Sequence, residues 1–152
     1  CKDFTGYRNL CQLLSKTHLR GPEVPSVVNL HDLRAHAEGL IGLSGCLNGE
    51  AAKAIAAGRT GRAAEALMRL ASCFAPGDFY VELVHPLTLD GPKVVRGLVG
   101  LAGSLGLPLV ATNDVHYLRA PDHRLHDVLA SAGARMALPG PYERQNAELW
   151  LK

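Results

Sequence analysis

The sequence predicts an α/β fold built on parallel strands, and three observations carry that expectation. Short apolar runs at 40–44, 79–84 and 107–112 each end in polar, potentially ligating residues. Stretches of helical periodicity separate them, and glycines and prolines stand at the joints. Strands that alternate with helices pair in parallel through right-handed crossovers.

Each element has its own local reason. Tyr7, Leu10, Cys11 and Leu14 recur on one helical face and predict a helix over about 6–18. Gly21-Pro22-Glu23-Val24-Pro25 breaks the chain. Asn29 is placed to cap a short helix through Leu33 and Ala37, which Gly39 stops, and the first strand follows at 40–44. Asn48 is the expected cap of a helix ending at Gly58. Thr60 is the expected cap of the next, in which Ala63, Leu67, Leu70, Ala71 and Phe74 repeat at helical spacing. Ala75-Pro76-Gly77-Asp78 turns into the strand 79–84. Asp90 opens a helix carrying Val94, Val95, Leu98, Val99, Ala102 and Leu105, and Gly106 ends it before the strand 107–112. Pro121 suits the first turn of a last helix through Leu125, Val128 and Leu129. Beyond Gly133, Pro139-Gly140-Pro141 interrupts any regular pattern. The strands read as continuous apolar runs, as in sheets covered on both faces. Three parallel strands close poorly on their own, so the chain reads as part of a larger barrel or sheet.

Composition narrows the class. With 152 residues, 47% hydrophobic and 20% charged, the chain is globular rather than disordered. A net charge of +2, with arginines scattered at 59, 62, 69, 96, 119 and 124, supplies no dense basic stripe for nucleic acid. No apolar stretch reaches membrane-span length, and no signal-peptide pattern opens the chain. Cys1, Cys11, Cys46 and Cys73 lack CxxC spacing and disulfide-scaffold density, so a reducing, cytoplasmic setting is expected. Starting on Cys1 and ending on Trp150-Leu151-Lys152, the chain reads as a segment of something longer.

Chemistry is expected where the strands end, because parallel sheets gather sites at their carboxyl edge. The first strand leads into Ser44-Gly45-Cys46, the second carries Glu82 and reaches His85, and the third runs into Asn113-Asp114-Val115-His116. Asp114 and His116, at i and i+2, point to one side if the backbone stays extended, so one cation can touch both. Taken alone, Asp114 also suits a turn and His116 a surface position. Cys46 suits a small buried residue as well as a ligand. Glu82, a carboxylate in an apolar strand, needs a partner such as an arginine. His85, before Pro86, reads as an ordinary loop residue. His18, His31 and His36 fall on or beside polar helix faces, without a partner at ligand spacing. His123 and His126, three apart, can form a metal pair but fit a helix cap or solvent face better. Asn48-Gly49-Glu50 reads as a helix start rather than a phosphate cradle, and no GxGxxG, Walker or GxSxG pattern occurs. Cys46, Asp114 and His116 together suit zinc, or manganese if further histidines join, with the open positions of a hydrolytic site.

Four stretches carry a resemblance. Gly6-Tyr7-Arg8-Asn9-Leu10-Cys11-Gln12-Leu13-Leu14-Ser15 is the first, and the run from Gly39 to Glu50 through Leu43-Ser44-Gly45-Cys46 is the second. Asp78-Phe79-Tyr80-Val81-Glu82-Leu83 follows, then the run from Leu105 to Tyr117 with Asn113-Asp114-Val115-His116, continued by His126-Asp127-Val128-Leu129. In this order, over about residues 4–130, they resemble the PHP (polymerase and histidinol phosphatase) domain of bacterial DNA polymerase III alpha subunits. The resemblance implies a partial, distorted (β/α)7 barrel, with residues 1–132 as the C-terminal part of the domain and 133–152 as an irregular segment leading toward the next. It also implies a metal cluster at the strand ends, its cysteine ligand falling on Cys46 and its Asp-x-His pair on Asp114 and His116. The family's N-terminal His-x-His pair would precede Cys1. Glu82 matches a strand residue of the family and is a possible additional site residue. The tail Asn146-Ala147-Glu148-Leu149-Trp150-Leu151-Lys152 looks like the error-prone, damage-tolerant branch, whereas Ala130 to Gln145 departs from the family pattern.

The implied parent is a DNA-directed DNA polymerase, a nucleotidyltransferase of replication or repair, and this segment by itself is expected to be inactive. Zinc or manganese is implied for the PHP site and magnesium for the parent's palm domain. The implied partners are DNA, deoxynucleotides and replisome or mutasome proteins, with no membrane. The PHP site itself is expected to serve phosphoester hydrolysis, such as 3′–5′ exonuclease editing, or structural support. Two other readings stand beside this one: a free-standing PHP-type phosphoesterase, and a structural module with a degenerate metal site.

Overall fold

Asp3 begins the fold by capping the first helix, α1 (Phe4–His18): its Oδ1 accepts from the Gly6 amide at 2.8 Å. The computed structural model describes residues 1–19, 27–84, 91–133 and 150. The face of α1 that packs is Gly6, Asn9, Leu13 and Thr17, whereas Tyr7, Leu10, Cys11 and Leu14 remain exposed. Close backbone approach decides this. A Cβ on Gly6 would lie 1.9 Å from the Gly39 carbonyl oxygen, and Gly39 itself has φ +73°. The Lys2 amide donates to Gly39 O at 2.8 Å, and Asn9 Nδ2 donates to Glu38 O at 2.9 Å. Lys2 also grips Asp78, its Nζ lying 2.8 and 2.9 Å from the two carboxylate oxygens. That hydrogen bond raises the Lys2 pKa above its ordinary value.

α2 (Leu30–Ala35) starts as the sequence predicts, with Asn29 Oδ1 accepting from the Asp32 amide at 2.7 Å, and ends two residues before Ala37. After β1 (Gly42–Leu43) come α3 (Glu50–Ala56) and α4 (Thr60–Ala71), joined at Gly58 with φ 72°. The expected caps move here. Gly49 rather than Asn48 caps α3, and Arg59 precedes α4 so that Thr60 is its first residue; neither cap makes a side-chain hydrogen bond. β2 (Phe79–Val84) follows, then α5 (Gly91–Leu105) and β3 (Leu109–Thr112). A 3₁₀ turn, Ala120–Asp122, with Pro121 in its first turn, leads into α6 (His123–Gly133). The expected break at 21–25, the helix start at Asp90 and the prolines at 139–141 lie outside the described residues.

The order of helices and strands matches the sequence reading, and the sheet is parallel with order β1-β2-β3. Gly42 pairs with Phe79 and Leu43 with Tyr80, while Val81, Glu82, Leu83 and Val84 pair with Leu109 to Thr112. Two strands are shorter than the apolar runs suggest. Leu40 and Ile41 precede β1, and Leu107-Pro108 precedes β3. Proline has no amide to donate, although Pro108 O accepts from the Val81 amide at 2.8 Å.

Helices α4 and α5 cover one face of β2, and α3 packs against both of them. Phe79 and Val81 pack there with Ala63, Leu67, Val94, Leu98 and Ala102, and Leu67 and Val81 are fully buried. Gly97 lets α5 approach α3, since a Cβ there would meet Ile55 Cγ2 at 2.6 Å. Coverage of both faces does not hold throughout: Leu109 and Ala111 are exposed, and Tyr80 and Glu82 on the alternate face are half-buried.

The Gly6–Gly39 contact gives a testable contrast. Gly6→Ala should destabilise the protein by about 1–3 kcal/mol or more, because backbone must move to admit the methyl group. Gly100→Ala, at an exposed position in α5 with nothing within 4 Å of the new Cβ, should instead stabilise it by about 0.5–1 kcal/mol. Denaturant midpoints of the two variants check the pair, and equal effects would refute the close-approach account.

Candidate metal centre at the strand ends

Glu82 stands on β2 between its two neighbours, and both touch it. Its amide donates to Ser44 Oγ at 2.9 Å, just past β1. Its Oε1 accepts from Thr112 Oγ1 at 2.6 Å, at the end of β3. Because Val110 is the partner of Glu82, Thr112 lies two residues further along on the same face, within reach of a glutamate side chain. Glu82 is thus satisfied by a neutral hydroxyl, and among the described residues no arginine pairs with it. The arginine suggested by the sequence is unnecessary because the carboxylate is only half-buried and keeps part of its hydration.

Beyond Thr112 the backbone does not stay extended. Asp114 adopts φ 46°, a left-handed conformation that its short polar side chain tolerates better than most. The i, i+2 argument for extended chain therefore fails, yet the two side chains still meet: Asp114 Oδ2 lies 3.4 Å from His116 Nε2. That is longer than a charge-assisted hydrogen bond. With zinc–ligand bonds of about 2.0–2.1 Å, neighbouring ligands of a tetrahedral shell stand about 3.3–3.4 Å apart, so the pair fits one edge of such a shell.

The loop bearing this pair is held from two directions. Asn113 Nδ2 donates to Trp150 O at 2.9 Å, and Tyr117 forms a parallel bridge with Trp150. From the other side, the His126 ring on α6 meets His116 edge-on, with centroids 5.1 Å apart and planes at 78°. Tyr117 lies 5.8 Å from the same His126 ring. His126 Nδ1 is 3.8 Å from Asp127 Oδ1, and the two side chains are 23% and 17% exposed. Both His123 and His126 are half-buried, so neither bears out the solvent-face expectation; His123 Nδ1 lies 2.9 Å from Ala120 O at the start of α6, a cap-like contact. On α6 it is Leu125, Val128 and Leu129 that face outward.

Cys46 is a half-buried free thiol in the turn between β1 and α3, entered through Gly45 with φ 90° and closed by the Gly49 amide donating to Cys46 O at 2.8 Å. Cys73 is buried in the core region instead, its Sγ 3.5 Å from Arg69 O. Among the described residues, no three His, Cys, Asp or Glu side chains are grouped so as to hold a metal ion. The donors present therefore fit a cation as a pair, Asp114 and His116, and not as a closed set. His85 lies outside the described residues.

Sequence reasoning passed over Thr112 and Asp127 as site neighbours and weighed His126 only as a metal pair with His123. Thr112 carried a signal, a hydroxyl two positions beyond the register partner of Glu82, which is readable only once the register is known. His126-Asp127 carried one too, a polar pair set between the apolar residues Leu125 and Val128.

The polar side chains Glu82, Thr112, Asp114 and His116 and the Cys46 thiol lie on or just beyond the strands of a parallel α/β sheet, the edge at which such sheets commonly build their sites. The chain belongs to the PHP domain family, which matches residues 1–85 of the 152. It is 40% identical over 141 residues, 92% of its length, to the DNA polymerase III subunit alpha of Thermus aquaticus, and 37% identical over 134 residues to that of Treponema pallidum. It is also 34% identical over 170 residues to an error-prone DNA polymerase of Symbiobacterium thermophilum. The chain spans 11%, 12% and 15% of these three relatives, respectively. No helix among the described residues is long and apolar enough to cross a membrane.

Thr112→Val tests the glutamate network. It keeps the shape of the side chain and removes the donor, so stability should fall by about 1–3 kcal/mol. A cycle with Glu82→Gln should show coupling, and strictly additive denaturation free energies would refute the link.

Proposed function

We propose that the chain is the C-terminal part of the PHP domain of a bacterial DNA polymerase III alpha-type polymerase, replicative or error-prone, with residues 133–152 leading toward a further domain. The three parallel strands form one sector of a distorted seven-stranded barrel. Cys46, Asp114 and His116 contribute from its rim to a divalent metal site, and Glu82 lies one layer beneath. The observation that carries this reading is the Asp114–His116 pair, 3.4 Å apart beyond a parallel strand, in a chain this similar to alpha subunits.

Zinc or manganese bound there supplies Lewis acidity for phosphoester hydrolysis, such as 3′–5′ exonuclease editing, or ties strand ends together. The chain's own contribution is binding and orientation. Asp114 offers a carboxylate oxygen and His116 an imidazole nitrogen, Cys46 offers sulfur once deprotonated, and Thr112 keeps the Glu82 carboxylate in place. Nucleotidyl transfer belongs to carboxylates of a palm domain with magnesium, acting on DNA and deoxynucleotides in a cytoplasmic replisome or mutasome. A structural module with a degenerate metal site is the second reading, favoured by the fact that no three donors are grouped among the described residues. A free-standing phosphoesterase is less well supported, because the relatives named above are far longer polymerases.

In the full-length protein, Asp114→Asn and His116→Gln should each lower bound metal and the melting temperature while primer extension retains its chemical competence. Metal bound only to the native state adds about 2.7 kcal/mol at 100 times its dissociation constant, which sets the scale of the loss. Elemental analysis with thermal melts checks this, and unchanged metal content in both variants would refute the metal reading. Phosphodiester turnover by the wild type that disappears in these variants distinguishes hydrolysis from structural support. The 152-residue segment alone should incorporate no nucleotide, and robust primer extension by it would contradict the assignment of polymerisation elsewhere.

A further inference from the structure

We propose that His126 is a positioning residue for His116, its ring forming the wall that aims the His116 imidazole at Asp114. This rests on the reading of Asp114 and His116 as metal ligands. An exposed imidazole on a loop samples several rotamers, and fixing one of them when a ligand binds costs conformational entropy. His116 is 41% exposed on its side chain and lies two residues beyond Asp114, which is in the left-handed region, so the loop backbone alone does not fix its ring. The edge-on contact with His126, at 5.1 Å and 78°, has the T-shaped geometry that aromatic pairs favour. Tyr117 approaches the same His126 ring at 5.8 Å, so consecutive loop residues both lean on it.

The orientation of α6 argues independently that this contact matters. A helix carrying Leu125, Val128 and Leu129 ordinarily turns them toward the sheet. Here they are 63%, 48% and 63% exposed, while Ser131 is 2% exposed and His126 and Asp127 are turned inward. The helix thus turns its polar side inward, where His126 meets the loop that bears Asp114 and His116. Trp150 anchors that loop through Asn113 and Tyr117, which fixes its backbone and leaves the ring of His116 to be set by α6.

The test separates ring packing from polarity in the full-length protein. His126→Phe keeps an aromatic wall without nitrogens, and His126→Gln keeps polarity without a ring. Affinity for zinc and for manganese is measured by chelator competition, alongside the melting temperature of the metal-free protein. The Gln variant should bind 10- to 100-fold more weakly, the range seen when a residue supporting a metal ligand is lost, and the Phe variant within about threefold of wild type. The metal-free melting temperature should change little in the Phe variant. Wild-type affinity in the Gln variant, or equal loss in both, overturns the proposal. If the Gln variant does not fold, His126→Leu replaces it with the same two outcomes. His116→Gln in the same assay distinguishes the failures. Lost affinity there with wild-type affinity in His126→Gln sinks the positioning role alone, whereas wild-type affinity in both sinks the metal reading and the positioning role together.

Discussion

Strand β2 is hydrogen-bonded along both edges, and every candidate donor inherits its position from that pairing. The Gly42 and Ser44 amides bond to the Asp78 and Tyr80 carbonyls on one side, and the Val81 amide bonds to Pro108 on the other. Because both pairings are parallel, the three chains leave the sheet in the same direction. A one-residue slip of β2 would turn Val81 out of the core and Glu82 into it, at the cost of a buried carboxylate. The apolar contacts of Phe79 and Val81 with α4 and α5 therefore fix the register, and the register delivers Glu82 to Thr112.

Stability and site geometry draw on opposite faces of the same strand. The helix-covered face is dry, with Leu67, Val81, Ala63 and Ala102 wholly inaccessible. The alternate face is half-wet and holds its polar atoms with short, neutral donors. Beyond the strand ends the chain uses loops, whose conformations are set by Trp150, Asn113 and the inward side of α6. A rigid sheet carrying adjustable loops at its carboxyl edge is the general arrangement by which parallel α/β proteins build sites.

The sequence disclosed the element order, the parallel pairing, the start of α2 and the turn into α6, because periodicity and the turn residues Asn29, Gly58, Gly106 and Pro121 act locally. It was silent where two distant segments negotiate. The packing face of α1 is chosen by Gly6 against Gly39, a contact with no trace in hydrophobic periodicity, so Tyr7, Leu10 and Leu14 mark the helix without marking its buried side. Gly49 and Arg59 take the caps expected of Asn48 and Thr60, each one residue from the expected position and without a side-chain hydrogen bond. At the site, Asp114 and His116 were legible as a pair, although by an extended geometry that the left-handed Asp114 replaces. Thr112 was hidden, and His126 was paired with His123 rather than with His116, because their relevance depends on register and on helix rotation, which single-sequence patterns do not encode.

The left-handed backbone at Asp114 also shapes how this loop can drift over evolutionary time. On the metal reading proposed above, a lineage that ceased to need a cation would lose selection on the imidazole of His116 and on the thiol of Cys46, and both positions could then vary widely. Position 114 would not enjoy the same freedom, because φ near +46° admits Asn or Gly readily and penalises β-branched residues. An acidic or amide residue at this corner is therefore poor testimony for a working site, whereas an intact histidine two residues on is informative.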